Sequence, residues 1–167
     1  MKNAETQRQK AMPPSFDDVA AQLSDIEARQ LIQELMAFCA ELRMVPRWYA
    51  TNSFNIKFKG KVVCRFSMHG NLDLYLPVES ARSALESALE NMAPELRQLY
   101  FTHMRRCKQC SPTHQSTSLT LFGVTYDKLC GIGEMSLRNP HKELLPSLQA
   151  FILWRRAYIQ TRSVHNP

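Results

Sequence analysis

Four side chains able to hold a metal or attack an electrophile lie in one short span: His103, Cys107, Cys110 and His114. A fifth, Cys130, follows. Cys107-Lys108-Gln109-Cys110 is a C-x-x-C, a spacing that lets two sulfurs reach the same ion. Zinc takes four nitrogen or sulfur ligands in a tetrahedron. Cys107, Cys110 and Cys130 with either His103 or His114 make up such a set. His103 and Cys107 stand at i and i+4, which on a helix puts them on one face. The same two thiols admit a redox dithiol, since Arg105, Arg106 and Lys108 favour the thiolate. Against that chemistry, a thioredoxin-like dithiol opens a helix, whereas this one closes one. The plain alternative is a set of ordinary reduced thiols at a helix end. Cys39 and Cys64 fall on a helix face and in a strand, where cysteine serves as a small core hydrophobe.

Other chemistry is thinner. Arg105-Arg106-Cys107-Lys108, and Arg155-Arg156 with Arg162, are basic clusters that could meet phosphates, with Tyr100 or Phe101 as stacking rings. Cations near a helix C-terminus are also expected on electrostatic grounds alone. No Gly-rich phosphate loop, H-E-x-x-H or G-x-S-x-G is present. Gly131-Ile132-Gly133 lacks both the third glycine and the strand-to-helix setting of a dinucleotide loop. Trp48 and Tyr49 with Phe54, Phe58 and Phe66 either line an apolar pocket or form the core face of a sheet. No carboxylate pair for acid–base work stands out: Asp17 and Asp18 read as capping groups, and Glu79, Glu86 and Glu90 as the wet face of a helix. His69 in a turn and His141 at a helix start read as exposed.

These groups need a scaffold. The polar stretch 1–14 ends in Pro13-Pro14 and reads as a disordered lead. Ser15-Phe16-Asp17-Asp18 caps a short helix. A longer one begins near Ser24, with Glu27 completing a capping box. Its apolar row is Leu31, Leu35, Phe38 and Leu42, widened by Ile32, Met36 and Cys39, and Pro46 ends it. The period then drops to two: extended 47–51, Phe54/Ile56/Phe58, Val62–Phe66 and Leu72/Leu74/Leu76, with turns at Lys59-Gly60-Lys61 and His69-Gly70-Asn71. Ala81, Leu85, Ala88, Leu89 and Met92 fit one helix. Pro94 opens another, whose face runs through Leu96, Leu99, Tyr100, His103 and Cys107. Residues 111–118 form a polar loop, and short extended pieces flank Gly123. Asn139-Pro140 starts a last helix, with Pro146 able to delay its start by a turn. The result is an α+β fold: an antiparallel sheet of four or five strands against an N-terminal helix, a middle helical pair and a C-terminal helix. A single domain is expected over 15–162, with a flexible tail at 163–167.

Composition agrees with a folded chain. Of 167 residues, 44% are apolar and 22% charged, which excludes wholesale disorder and fibrous repeats. Lys and Arg number 21 against 15 acids, and the pI near 9.2 admits nucleic acid or another acidic partner. Apolar runs such as Ala150 to Trp154 are far short of a membrane span of about 20 residues, and Lys2 is followed by no apolar signal core. A cytoplasmic setting with reduced thiols is therefore expected, and an odd number of cysteines fits poorly with a disulfide framework.

Trp48-Tyr49-Ala50-Thr51-Asn52, Lys59-Gly60-Lys61-Val62-Val63-Cys64, Cys107-x-x-Cys110-Ser111-Pro112, Phe122-Gly123, Cys130 and Asn139-Pro140 together resemble landmarks of a group of small bacterial α+β proteins, over about residues 25–160. The resemblance implies a compact α+β fold, favours Cys107, Cys110 and Cys130 as a set, and carries over no catalytic residue, because the group has no assigned activity. Thr113-His114 departs from the Gly-Lys pair expected after Pro112, which leaves that loop's role open. The expected function is a small cytoplasmic binding or regulatory module for a small molecule or protein, stabilised by Zn2+ and not itself an enzyme. A thiol-dependent redox enzyme and a basic nucleic-acid-binding protein are the alternatives. No membrane partner is expected.

Overall fold

Turn chemistry sets the sheet. Lys59 and Gly60 have φ of 46° and 76° between the paired residues Phe58 and Lys61, a two-residue loop whose left-handed backbone conformation matches the right-handed twist of the flanking strands. The computed structural model describes residues 2–104, 117–129 and 133–164. Strands β1 (Pro46–Ala50), β2 (Ser53–Phe58), β3 (Lys61–Met68) and β4 (Leu72–Pro77) form an antiparallel meander. After a long excursion β7 (Glu134–Arg138) adds beside β4, giving the order β1-β2-β3-β4-β7. Val78 N–H donates to Gly133 O and Asn139 N–H to Leu72 O, so β7 runs antiparallel to β4. A separate hairpin joins β5 (Thr117–Leu121) to β6 (Val124–Leu129) through Phe122-Gly123, both at positive φ. The helices are α1 (Lys2–Ala11), α2 (Phe16–Ala20), α3 (Ile26–Glu41), α4 (Arg82–Glu90), α5 (Pro94–Thr102) and α6 (Leu145–Val164). The expected α+β architecture is thus present. None of these helices is long and apolar enough to cross a membrane.

The chain divides into two compact units, Met1–Tyr75 with Leu137–Pro167, and Leu76–Ser136. In the first unit Phe54, Ile56, Cys64, Phe66, Met68, Leu72 and Leu74 are buried on the sheet. Leu31, Ile32, Leu35 and Cys39 are buried on α3, and Leu148, Phe151 and Ile152 on α6. Of the aromatic set read as a possible pocket, Phe54 and Phe66 are core: they stack at 5.7 Å and Phe16 meets both edge-on, whereas Trp48 and Phe58 are half-buried and Tyr49 is exposed. In the second unit Leu85, Ala88 and Leu89 of α4 and Leu96 and Tyr100 of α5 are buried. Pro94 occupies the first turn of α5, where a missing N–H is harmless.

Several local expectations change under long-range contacts. The stretch read as a disordered lead contains α1. Its Gln9 is 5% exposed; Oε1 accepts from Trp48 Nε1 at 3.2 Å and from Asn52 N at 2.9 Å, and Nε2 donates to Asn52 Oδ1 at 2.6 Å. A polar helix is held here by hydrogen bonds to the β1–β2 turn rather than by an apolar stripe. Helix α3 is capped by Asp25, whose Oδ1 accepts from Glu27 N and Ala28 N, one residue beyond Ser24. Asn139 caps no helix: at φ 45° its Oδ1 accepts from Leu72 N at 3.1 Å. Helix α6 begins only at Leu145, after a 3₁₀ turn over Lys142–Leu144, which leaves Pro146 in its first turn. Glu79 lies before α4 rather than on its wet face. It is buried, and its Oε1 accepts from Ala81 N at 2.9 Å.

Candidate functional site

Cys107, Cys110, His114 and Cys130 lie outside the described residues; His103 is the member of the expected set inside them. The helix carrying it is shorter than its apolar row suggests. α5 stops at Thr102, and His103 sits at its C-cap with φ −113°. Two β-type contacts take over there: Ser136 N–H donates to His103 O at 3.1 Å, and Met104 bridges Met135. The i, i+4 pairing of His103 with Cys107 on a continuous helix therefore does not hold. The His103 carbonyl and Met104 thus find partners more than thirty positions away in place of a further helical turn. His103 is half-buried, and burial holds its imidazole below its ordinary range, which favours the neutral, ligand-competent form at neutral pH.

Chain ends on either side of the thiols belong to one unit. Met104, which precedes the C-x-x-C, pairs with Met135; Thr117, which follows His114, pairs with Leu129, the neighbour of Cys130. Gly133 resumes the described chain two residues before Met135. It lies at φ 72° and receives Val78 N–H at 2.6 Å and Glu79 N–H at 3.2 Å on its carbonyl. A Cβ at this position would fall 1.7 Å from Glu79 O, so only glycine fits. Sequence reading treats Gly133 as a chain breaker and misses the close approach; the signal available was a glycine directly ahead of the period-two run Glu134–Arg138. Tyr100 is buried beneath, its phenol pushed up to about 12 chiefly by desolvation, while hydrogen bonding from the Gly133 backbone acts the other way.

The rings considered for base stacking are engaged within this unit. Tyr100 is buried, and Phe101 stacks on Tyr126 at 5.4 Å with Phe122 edge-on at 6.3 Å. Arg97 lies over Phe122, and Glu86 Oε1 accepts from Phe122 N, so α4 and α5 grip the β5–β6 turn. Of the C-terminal basic cluster, Arg156 lies 5.0 Å from the Phe58 ring, while Arg155 and Arg162 both lie 5.5 Å from Tyr158. Cys39 and Cys64 are buried free thiols, pushed up by desolvation, Cys39 to about 12; neither is a nucleophile at neutral pH. Among the described residues no three His, Cys, Asp or Glu side chains stand together as a metal site. A polar cleft of about 400 Å³ lies between α1, α2 and Asn52, with Glu5, Arg8, Gln9, Asp18 and Gln22 in its wall. No family model, no curated protein and no solved structure matches this chain.

Proposed function

We propose that this chain is a small cytoplasmic binding or regulatory module, without catalysis of its own, in which Cys107, Cys110, Cys130 and either His103 or His114 hold a structural zinc. One observation supports the reading: the pairings Met104 with Met135 and Thr117 with Leu129, on two separate sheets, hold the ends of both thiol-bearing stretches within one compact unit. Cys130 adjoins Leu129, and Cys107 lies three residues past Met104, short distances at about 3.8 Å per residue. The described part of the unit is small: two helices of nine residues, a hairpin, the end of β4 and the start of β7. A zinc clip that closes its loops adds its binding energy to folding. The resemblance to small bacterial proteins with a C-x-x-C and a later cysteine belongs to the same reading.

Elemental analysis of protein purified without added metal tests it. The expected result is about one zinc per chain, lost together with thermal stability on chelation or in Cys107→Ser. Absence of stoichiometric metal, with a melting temperature indifferent to chelator, overturns it. A C-x-x-C thiolate that alkylates well below about pH 8 in metal-free folded protein would instead favour thiol-dependent redox chemistry.

A further inference from the structure

Arg47, Asn55, Arg65 and Tyr75 form one cross-strand row, through the pairings Arg47 with Asn55, Asn55 with Arg65 and Arg65 with Tyr75. Strand alternation turns this row away from Phe54, Ile56, Phe66 and Leu74, onto the face opposite the core. Lys57, two residues along β2 from Asn55, shares that face. Tyr49 joins it at the bulge in β1, its ring centroid 4.9 Å from the Arg65 guanidinium carbon. Asn55 is 5% exposed and uses its side-chain oxygen to accept from Arg65 Nε at 3.1 Å. That bond and the ring together fix the guanidinium plane, while its two Nη groups make no hydrogen bond among the described residues.

The patch is built for negative charge and a flat ring. Arg47 and Lys57 are exposed, and neither these nor Arg65 has a carboxylate within ion-pair distance among the described residues. Asp73, the nearest acid by register, sits in the next row and faces Arg138 at 3.9 Å. Tyr49 is 53% exposed, so part of a large ring meets solvent beside Arg65 and on the same sheet face as Arg47 and Lys57. An oriented guanidinium suits a phosphate better than a mobile ammonium does. An exposed ring among cations suits an unpaired base. A broad sheet cannot enter the major groove as a helix or two-stranded ribbon does, which disfavours a duplex.

We propose that this open face of β1–β3, with Arg47, Lys57 and Arg65 on phosphates and Tyr49 under a base, binds single-stranded nucleic acid. The surface lies in the first unit and does not depend on the zinc proposed for the second. Fluorescence anisotropy with labelled oligo-dT and oligo-U of about 20 nucleotides, over about 50–300 mM salt, tests it. The wild-type chain should bind with a log–log salt slope steeper than −1. Arg47→Ala and Lys57→Ala should each flatten that slope by about 0.7. Tyr49→Ala should weaken binding at least about fivefold, and Tyr49→Phe, which keeps the ring, should retain it. Arg8→Ala, an exposed cation on α1 paired with Glu5, should change nothing. Circular dichroism confirms folding of each variant. No binding at about 50 mM salt, equal loss in Arg8→Ala, or preference for a duplex, an acidic peptide or anionic vesicles overturns the proposal.

Discussion

Replacing Gly133 by alanine puts the packing of the second unit to a quantitative test. Two costs are separable. The backbone sits at φ 72°, where a Cβ costs about 1–2 kcal/mol. The new Cβ also falls 1.7 Å from Glu79 O, a main-chain atom that no rotamer change can move aside. Relief requires β7 and the Val78–Glu79 segment to part, which stretches the two hydrogen bonds that Gly133 O receives from buried residues. Leaving either donor unsatisfied costs about 1–3 kcal/mol. The total is about 2–5 kcal/mol. Gly60→Ala and Gly70→Ala supply the control, because both have φ near that of Gly133 and nothing within 4 Å of the added carbon. Only the conformational cost applies to them. At about 2–4 °C per kcal/mol for a chain of this length, Gly133→Ala should lower the melting temperature by about 10 °C and each control by about 3 °C. Thermal unfolding followed by far-ultraviolet circular dichroism measures all three. A Gly133 variant that melts within a degree or two of the controls would refute the close approach to Glu79.

Other outcomes follow from the first unit. Gln9→Ala removes the acceptor of both Trp48 Nε1–H and Asn52 N–H; it should cost about 2 kcal/mol, shift tryptophan emission to the red and expose α1 to protease, all checked on one sample. Asn139→Ala takes away the side-chain acceptor of Leu72 N–H at a positive φ, and a loss of about 1–2 kcal/mol in urea denaturation is expected. Iodoacetamide at about pH 8 should leave Cys39 and Cys64 unmodified in the native chain and label both in urea, as peptide mass spectrometry would read. The same burial sets the alkaline limit. The unfolded chain releases thiol protons above about pH 8.5 and the phenol proton near 10, whereas folded Cys39 and Tyr100 hold theirs to about 12. Their contribution is complete below about pH 8.5 and declines as pH rises toward 12, so the urea midpoint should fall across that window, less steeply in Cys39→Ala.

Local chemistry made much of the scaffold legible. Lys59-Gly60 between alternating runs specifies a hairpin because few residues tolerate two successive positive φ values. Leu72, Leu74 and Leu76 show which strand face is dry. Leu31, Ile32, Leu35, Met36 and Cys39 mark the buried stripe of α3, and Pro94 can only stand in a first turn. Each depends on neighbours within a turn or two of chain. Residues whose partners lie far along the polymer were not legible. α1 looks unstructured until Trp48 and Asn52 meet Gln9. α5 ends at Thr102 because Met135 and Ser136 take up the backbone at His103 and Met104. Glu79 is a polar residue in the sequence and a buried one in the fold, beside a glycine more than fifty positions later. Amino-acid order alone determined the α+β class, the hairpins and the identity of the thiols and imidazoles that could share an ion. Tertiary structure decided where helices stop, which polar groups are buried and which basic side chains stand together on an open sheet face. The physical reason is that a hydrogen bond or steric contact between distant segments can equal a local conformational preference in energy, yet its partner is absent from the neighbourhood where that preference is read.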